Sequence, residues 1–330
     1  MLMVLSRKQR TFRQFDVFNG DADGICGLHQ LRLVDPVHDA ELITGVKRDI
    51  NLLSRIEDVK NSSIAVFDIS MHSNITSLKH LLSAGNDVLY IDHHFPGDIP
   101  EASNLRQHIN PDPDLCTSLI VNSLLDGKFL LWALCGAFGD NLDKIANVMG
   151  AEAGLSDSET ICLREIGELI NYNSYGTQVK DLYFPPEDLY RAIREYRSPF
   201  DFFEKSKTLK TLKVGFNSDM NLALSQPEYK KCGKNRIFRF PDNPWARRVS
   251  GVFANLKARE NPEGAHALIT ENRDESLRIS VRAPLSNKHD AETLCRAFPT
   301  GGGRAAAAGI NALPPDLLDN FLTKFEQTYA

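Results

Sequence analysis

The chain has 330 residues, of which 42% are hydrophobic, 25% charged and 8% aromatic; this ordinary globular usage excludes a disordered, collagen-like or low-complexity protein. A length above about 250 residues points to two domains rather than one enlarged core. With 38 basic against 43 acidic residues, a net charge of −5 and a pI near 6.0, bulk charge does not suit the coating of duplex DNA, so an anionic ligand needs a local site.

In chain order, the first ten residues place charges (Arg7, Lys8, Arg10) after a short apolar run, the reverse of a secretory signal. Phe15–Phe18 reads as a strand ending in Asn19-Gly20-Asp21-Ala22-Asp23-Gly24, and the helix that follows carries Ile25, Leu28, Leu31 and Leu33 on its apolar side. Glu41–Val46 reads as a second strand and Ile64–Phe67 as a third, closed by Asp68. Ile75, Leu78, Leu81 and Leu82 recur at helical spacing, and Asp87–Ile91 is a fourth strand that runs into Asp92-His93-His94. Near-continuous apolar strands alternating with helices predict a parallel sheet covered on both faces, in which ligands bind beyond the carboxyl ends of the strands. Residues 155–197 read as mostly helical, and the lysine-rich stretch 198–214 as a linker. In the final third, His266–Thr270 and Leu277–Arg282 read as strands, Asp290–Phe298 as a helix, Gly301–Gly303 as a loop, and Asp316–Tyr329 as a closing helix.

Cys26, Cys116, Cys135, Cys162, Cys232 and Cys295 show no C-x-x-C spacing, which suggests reduced thiols rather than a disulfide framework or a zinc cluster. No uninterrupted apolar stretch approaches the ~20 residues needed to span a bilayer, and the expected location is the cytoplasm.

The residues that carry chemistry sit at strand ends. Asp21 and Asp23 lie two apart at a turn, with Gly24 allowing a sharp bend; a turn or helix cap is the competing reading. Asp68 and Asp140 each have a helix N-cap as the alternative, Asp140 for a helix starting near Leu142. Asp92-His93-His94 is sharper, since adjacent histidines behind a carboxylate are odd in a core and unnecessary in a turn. A mixed carboxylate and imidazole set favours manganese over zinc, with magnesium or cobalt as the other ions that suit it. Gathering so many carboxylates without cations would be repulsive, so a two-cation site is the economical explanation. Separately, Lys230, Lys231, Lys234, Arg236, Arg239, Arg247 and Arg248 interleave with Phe238, Phe240 and Trp245. That composition can hold a nucleic-acid backbone and stack bases, although a solvated rim over buried aromatics is the preferred reading.

In their order, these motifs resemble those of the DHH phosphoesterases that carry a C-terminal DHHA1 domain. Asp21-x-Asp23-Gly24, Asp68, Asp92-His93-His94 and Asp140 match the four N-terminal motifs. Gly301-Gly302-Gly303-Arg304-Ala305-Ala306-Ala307-Ala308-Gly309 matches the glycine-rich C-terminal signature, and Ile279–Arg282 resembles the strand with a substrate-binding Arg. The resemblance implies an α/β fold: a parallel-sheet DHH domain with flanking helices over 1–197, the linker 198–214 and a smaller α/β DHHA1 domain over 215–330, with the active site in the interdomain cleft. It further implies two divalent metal ions held by Asp21, Asp23, Asp68, His93 and Asp140, with Asp68 bridging, His94 beside the scissile phosphate and Asp92 orienting an imidazole. Arg282, Arg304, Gly301, Gly302 and Gly303 would hold substrate, and Asn19 would help at the cations or the substrate. Two positions depart from the pattern: Val17 stands where many relatives carry His, and Arg304 where the family usually has His. An Arg there offers a permanent fork for a phosphate.

The expected activity is hydrolysis of short 5′-phosphorylated oligonucleotides, with linear dinucleotides (pGpG or pApA) cut to mononucleotides by a metal-activated water. Two domains without further oligonucleotide-binding modules, and a low net charge, argue against long DNA as substrate. A cyclic-dinucleotide phosphodiesterase, a 3′-phosphoadenosine phosphate phosphatase and a pyrophosphatase are the alternatives of the same class. A non-catalytic nucleotide sensor is the alternative of another class. No membrane partner is expected, and the oligomeric state is left open, a homodimer included.

Overall fold

The computed structural model describes residues 13–330, so the charge pattern of the first ten residues lies outside the described part. The chain divides into two compact units, Met1–Val214 and Gly215–Ala330.

The first unit opens with β1 (Gln14–Phe18), α1 (Ala22–Val34), β2 (Glu41–Ile43), β3 (Ser63–Phe67), α2 (Met71–Ser83), β4 (Asp87–Asp92) and β5 (Leu105–Ile109). The five strands form one sheet in the order β2-β1-β3-β4-β5, parallel throughout. In register, Val17 pairs with Val66 and Phe67 with Ile91, so β1, β3 and β4 end level with one another. Every residue of β3 is buried, as the near-continuous apolar run requires of a central parallel strand. Phe15, Val17, Ile64, Val66, Val88 and Tyr90 pack with Leu78 and Leu81 of α2 on one face. The second strand is shorter than expected, three residues rather than six.

Helices follow: α3 (Thr117–Leu124), α4 (Leu130–Gly139), α5 (Asp143–Glu152), α6 (Asp157–Tyr172), α7 (Pro186–Ile193), α8 (Pro199–Lys205) and α9 (Lys207–Leu224). Residues 198–214 are thus helical and bury Phe202, Leu209 and Leu212, and α9 continues across the boundary between the units. A close Gly–Gly approach joins α4 to α6, where a Cβ at Gly167 would overlap the Cys135 carbonyl oxygen.

The second unit comprises β6 (Glu228–Cys232), β7 (Asn235–Phe240), α10 (Pro244–Glu260), β8 (His266–Glu271), β9 (Leu277–Arg282), α11 (Ala291–Arg296), β10 (Gly301–Arg304), β11 (Ala307–Leu313) and α12 (Leu318–Thr328). Its six strands run β10-β11-β9-β8-β7-β6, antiparallel except for the parallel pair β7–β8. Its own core gathers Ile237, Ile269, Ile279, Val281, Leu294, Ile310, Phe321 and Phe325.

One expectation here is corrected. Gly301–Gly303 is not a loop: it belongs to β10, which pairs antiparallel with β11, Gly302 opposite Gly309. Glycine is needed for space at one of these positions and for conformation at another. A Cβ at Gly301 would overlap the Cys295 carbonyl oxygen, and Gly303 sits at φ +143 with its Cβ position 2.5 Å from the Ala308 Cα. All six cysteines are free thiols. Among the described residues, no helix is long and apolar enough to cross a membrane.

Candidate metal centre

Each strand end of the first sheet presents its polar group through a definable local structure. Asp21 caps α1: its Oδ1 accepts from the backbone N–H of Asp23 and of Gly24, both at 3.1 Å. The cap reading and the site reading therefore both apply to this residue. Asp68 follows β3 with φ +55, a conformation that costs a non-glycine residue energy and is held here by its N–H donating to the Ile91 carbonyl at 3.1 Å. It is not a helix cap, since Ser70 caps α2. Nor is Asp140 an N-cap: it is the C-terminal cap residue of α4, and Leu142 stands at the N-cap of α5. There, Leu142 N–H donates to Ala137 O and Asn141, at φ +64, to Phe138 O, a Schellman ending that turns the chain sharply.

Asp92 closes β4 fully buried. Its Oδ1 accepts from the His93 backbone N–H at 2.8 Å and lies 2.7 Å from His94 Nδ1. With Nδ1 holding the proton toward Asp92, the Nε2 lone pair of His94 is left for an ion or a substrate. Asp68 Oδ1 lies 3.4 Å from His93 Nε2 and 3.9 Å from His94 Nδ1. Ligand atoms of Asp68, His93 and His94 all fall within 4.8 Å of one another, close enough to surround one ion. Asp140 Oδ2 stands 3.8 Å from His93 Nε2. A carboxylate beside two imidazoles suits manganese and similar divalent ions, so the donor chemistry fits the ion that the sequence implies.

The other expected ligands are engaged differently. Both oxygens of Asp23 accept backbone N–H groups at 2.7 Å, from Thr117 and Ser118 at the start of α3. The helix has no side-chain cap of its own, and Asp23 serves as one from outside. Asp21 Oδ2 accepts from Lys47 Nζ at 2.5 Å, and the same ammonium lies 3.3 Å from Asp140 Oδ1 and 3.4 Å from Asn171 Oδ1. Lys47 was not singled out in the sequence, because a lone lysine after a short strand carries no spacing signal.

The electrostatics follow this partition. Burial raises the Asp68 carboxyl well above the ordinary range, and the charges of Asp21, Asp23, Asp140 and Asp92 push it the same way. Burial acts on Asp21 in that direction too, but the Lys47 ammonium and its hydrogen bond hold this carboxyl below its usual value. Asp140 stays raised, since burial and its acidic neighbours outweigh Lys47. Burial disfavours the charge on Lys47, yet Asp21 above all keeps the amine protonated well beyond its ordinary range. For His94, burial is overcome by the bond to Asp92, and its pKa is raised.

Asn19, at the end of β1, donates from Nδ2 to the Lys47 carbonyl at 3.4 Å, while its Oδ1 is buried without a hydrogen-bond partner among the described residues. The remaining expected substrate residues lie in the second unit. Arg282, at the end of β9, donates from Nε to Asn255 Oδ1 at 2.7 Å and from Nη1 to Ser280 Oγ at 2.9 Å. Arg304 is exposed at the end of β10. The aromatics of the basic stretch are buried as the preferred reading has it, but its cations do not all form a solvated rim: Arg247 and Arg248 are buried in ion pairs. Phe238, Phe240 and Trp245 are buried. Arg248 Nε pairs with Asp219 at 2.7 Å, Arg239 with Glu271 at 2.9 Å, Arg247 with Asp242 and Lys230 with Glu326.

No family model and no curated protein matches this sequence. Solved structures do. The manganese-bound exonuclease RecJ matches with a TM-score of 0.62 at 18% identity, over 99% of this chain and 92% of that one. The Mn²⁺ complex of RecJ from Thermus thermophilus matches with a TM-score of 0.57 at 14% identity; 96% of this chain spans 52% of that protein. The pGpG-specific phosphodiesterase PggH from Vibrio cholerae matches with a TM-score of 0.55 at 12% identity, over 96% of this chain and 99% of that one. Together with the motif order in the sequence, these likenesses establish that the chain has the RecJ-like DHH fold.

Proposed function

We propose that this chain is a divalent-metal-dependent phosphodiesterase that hydrolyses short 5′-phosphorylated oligonucleotides, with linear dinucleotides such as pGpG or pApA as its substrates and manganese as its ion. The observation that carries the reading is the gathering of Asp68, His93 and His94 at the carboxyl ends of β3 and β4. In an open parallel sheet that is where chemistry is placed. An ion bound there would supply positive charge to a phosphate oxygen and lower the pKa of a water. The chain's own residues do the rest. Asp92 holds the His94 ring in one orientation and one tautomer, and the half-exposed face of that ring is available to a phosphate. Arg304, whose planar guanidinium fork matches a phosphate, captures the terminal 5′-phosphate, and Arg282 assists it. Such end capture sets the cleavage one linkage along, which favours short substrates. The fold likeness to a pGpG-specific phosphodiesterase supports a linear dinucleotide.

The test is mononucleotide release with Mn²⁺ across linear and cyclic dinucleotides and 20-mer RNA. We expect linear 5′-phosphorylated dinucleotides to turn over at least tenfold faster than the others, and Asp68→Ala to abolish release while the protein stays folded. Comparable rates on 20-mers would remove the short-substrate claim; no hydrolysis with any metal would leave a nucleotide-binding protein.

A further inference from the structure

The ammonium of Lys47 is fixed in place, not a surface lysine caught in one rotamer. Its own backbone is pinned on both sides: the N–H donates to the Ser174 carbonyl at 3.0 Å, and the carbonyl accepts from Asn19 Nδ2 at 3.4 Å. The segment around it is closed by a turn in which the Asp49 N–H donates to Val46 O at 2.8 Å. Arg55 then clamps that segment, donating to the Thr44 carbonyl at 2.8 Å and pairing with Asp49. At the tip, an ammonium has three protons, and three oxygens take them: Asp21 Oδ2, Asp140 Oδ1 and Asn171 Oδ1. The Tyr175 ring centroid, 5.9 Å from Nζ, covers another side. The side chain is three-quarters buried, so these bonds act in a low-dielectric setting where charge pairs are strong and their loss is costly.

The donor count points the same way. Asp21 Oδ1 accepts two backbone N–H groups and its Oδ2 faces Lys47, while each oxygen of Asp23 is aimed at a backbone N–H, of Thr117 or Ser118. Val17, buried on β1, offers no ligand atom. Among the described residues the donor atoms that gather around one point are those of Asp68, His93 and His94, with the second oxygen of Asp140 beside His93, the grouping that a single ion needs. We propose that the Lys47 ammonium is a built-in cation occupying one of the two cation positions that the motif resemblance implies, between Asp21 and Asp140, so that the chain takes one divalent ion, at Asp68, His93 and His94. The proposal rests on the metal-dependent reading of the site. Asp140 joins the two halves, one oxygen to the lysine and one beside His93.

The experiment counts metal, not turnover. Purified full-length protein is titrated with Mn²⁺, the bound ion per chain is measured by elemental analysis, and the electron paramagnetic resonance spectrum is recorded at saturation. We expect one ion per chain with the six-line signal of an isolated Mn²⁺. Lys47→Met, which keeps the length but not the charge, is expected to rise to two ions per chain, with six-line intensity lost to coupling between neighbouring ions. Lys47→Arg is expected to stay at one, and Lys47→Gln serves as the second neutral variant where Lys47→Met fails to fold by circular dichroism. Two coupled ions in the unaltered protein would overturn the proposal, and so would a folded neutral variant that still takes only one. Hydrolysis with two ions bound sinks the single-ion claim and spares the phosphodiesterase reading; one ion bound with no hydrolysis of any substrate does the reverse.

Discussion

His29 lies edge-on to Trp132, with ring centroids 4.7 Å apart, and its Nε2 donates to the Tyr196 carbonyl at 2.9 Å. It is 1% exposed, and burial lowers its pKa to about 4 from an ordinary 6.5, the carbonyl bond only partly offsetting this. The unfolded chain therefore takes up a proton below pH 6.5 that the folded chain refuses until about pH 4. Stability falls as pH drops through that window and is unaffected by this group above it. At pH 5 the cost from this one residue is about 2 kcal/mol relative to pH 7. His29→Gln removes the titration, so its urea-unfolding free energy should fall by about 2 kcal/mol less than the parent's between pH 7 and pH 5. Parallel pH profiles for the two proteins would show that His29 is not the titrating group. At this same scale the acidic and imidazole residues of the site were readable, because Asp21, Asp68, Asp92, His93 and His94 all fall at the ends of strands with a clear apolar signal. Lys47 was not. It reaches Asp21 and Asn171 across 26 and 124 residues of sequence, and nothing local marks a side chain whose partners are all distant.

Among the elements, α1 is capped by Asp21 and carries Asp23, α4 ends just before Asp140 and α6 carries Asn171, and small residues decide how closely these helices approach. Gly139 faces Ala22, and Gly167 faces the Cys135 carbonyl oxygen so closely that no Cβ fits without moving a backbone. Gly167→Ala should cost about 1–3 kcal/mol in denaturant unfolding. Because the strain falls between α4 and α6, it should also weaken Mn²⁺ binding, by displacing Asp140 from His93 and Asn171 from Lys47. A variant as stable as the parent and with the same Mn²⁺ affinity would mean that these helices can slide apart at no cost to the site. The elements that sequence reading missed share a physical cause. The strand β5, Leu-Arg-Gln-His-Ile, lies at the edge of its sheet and is half-exposed, so it lacks the apolar run that betrayed β3 and β4. Gly301–Arg304 has no strand propensity at all; pairing with β11 and the tight approach to Cys295 put it in the sheet. Polar residues hid the helices of 198–214: the buried Phe202, Leu209 and Leu212 stand at helical spacing, but they are few among the lysines.

On the scale of the whole molecule, two units with separate cores make a divalent ion a selective stabiliser. All the residues gathered at Asp68, His93 and His94 belong to Met1–Val214, and the core of Gly215–Ala330 contributes none of them. A ligand that binds only the native form adds RT ln(1 + [L]/Kd), about 2.7 kcal/mol at a hundredfold excess over Kd. For a unit of this size that amounts to a rise of roughly 5–10 °C in melting temperature. Scanning calorimetry with Mn²⁺, against the same protein in chelator, should move one transition upward by that amount and leave the other where it was. The unmoved transition should belong to the second unit, which can be checked with Phe321→Ala: this empties a fully buried position of that unit's core, costs about 3–5 kcal/mol, and should lower the unmoved transition alone. If instead a single transition responds to both the ion and the core substitution, the two units unfold as one cooperative body, and the stabilisation supplied at the metal centre is shared by the whole chain rather than confined to the unit that binds the ion.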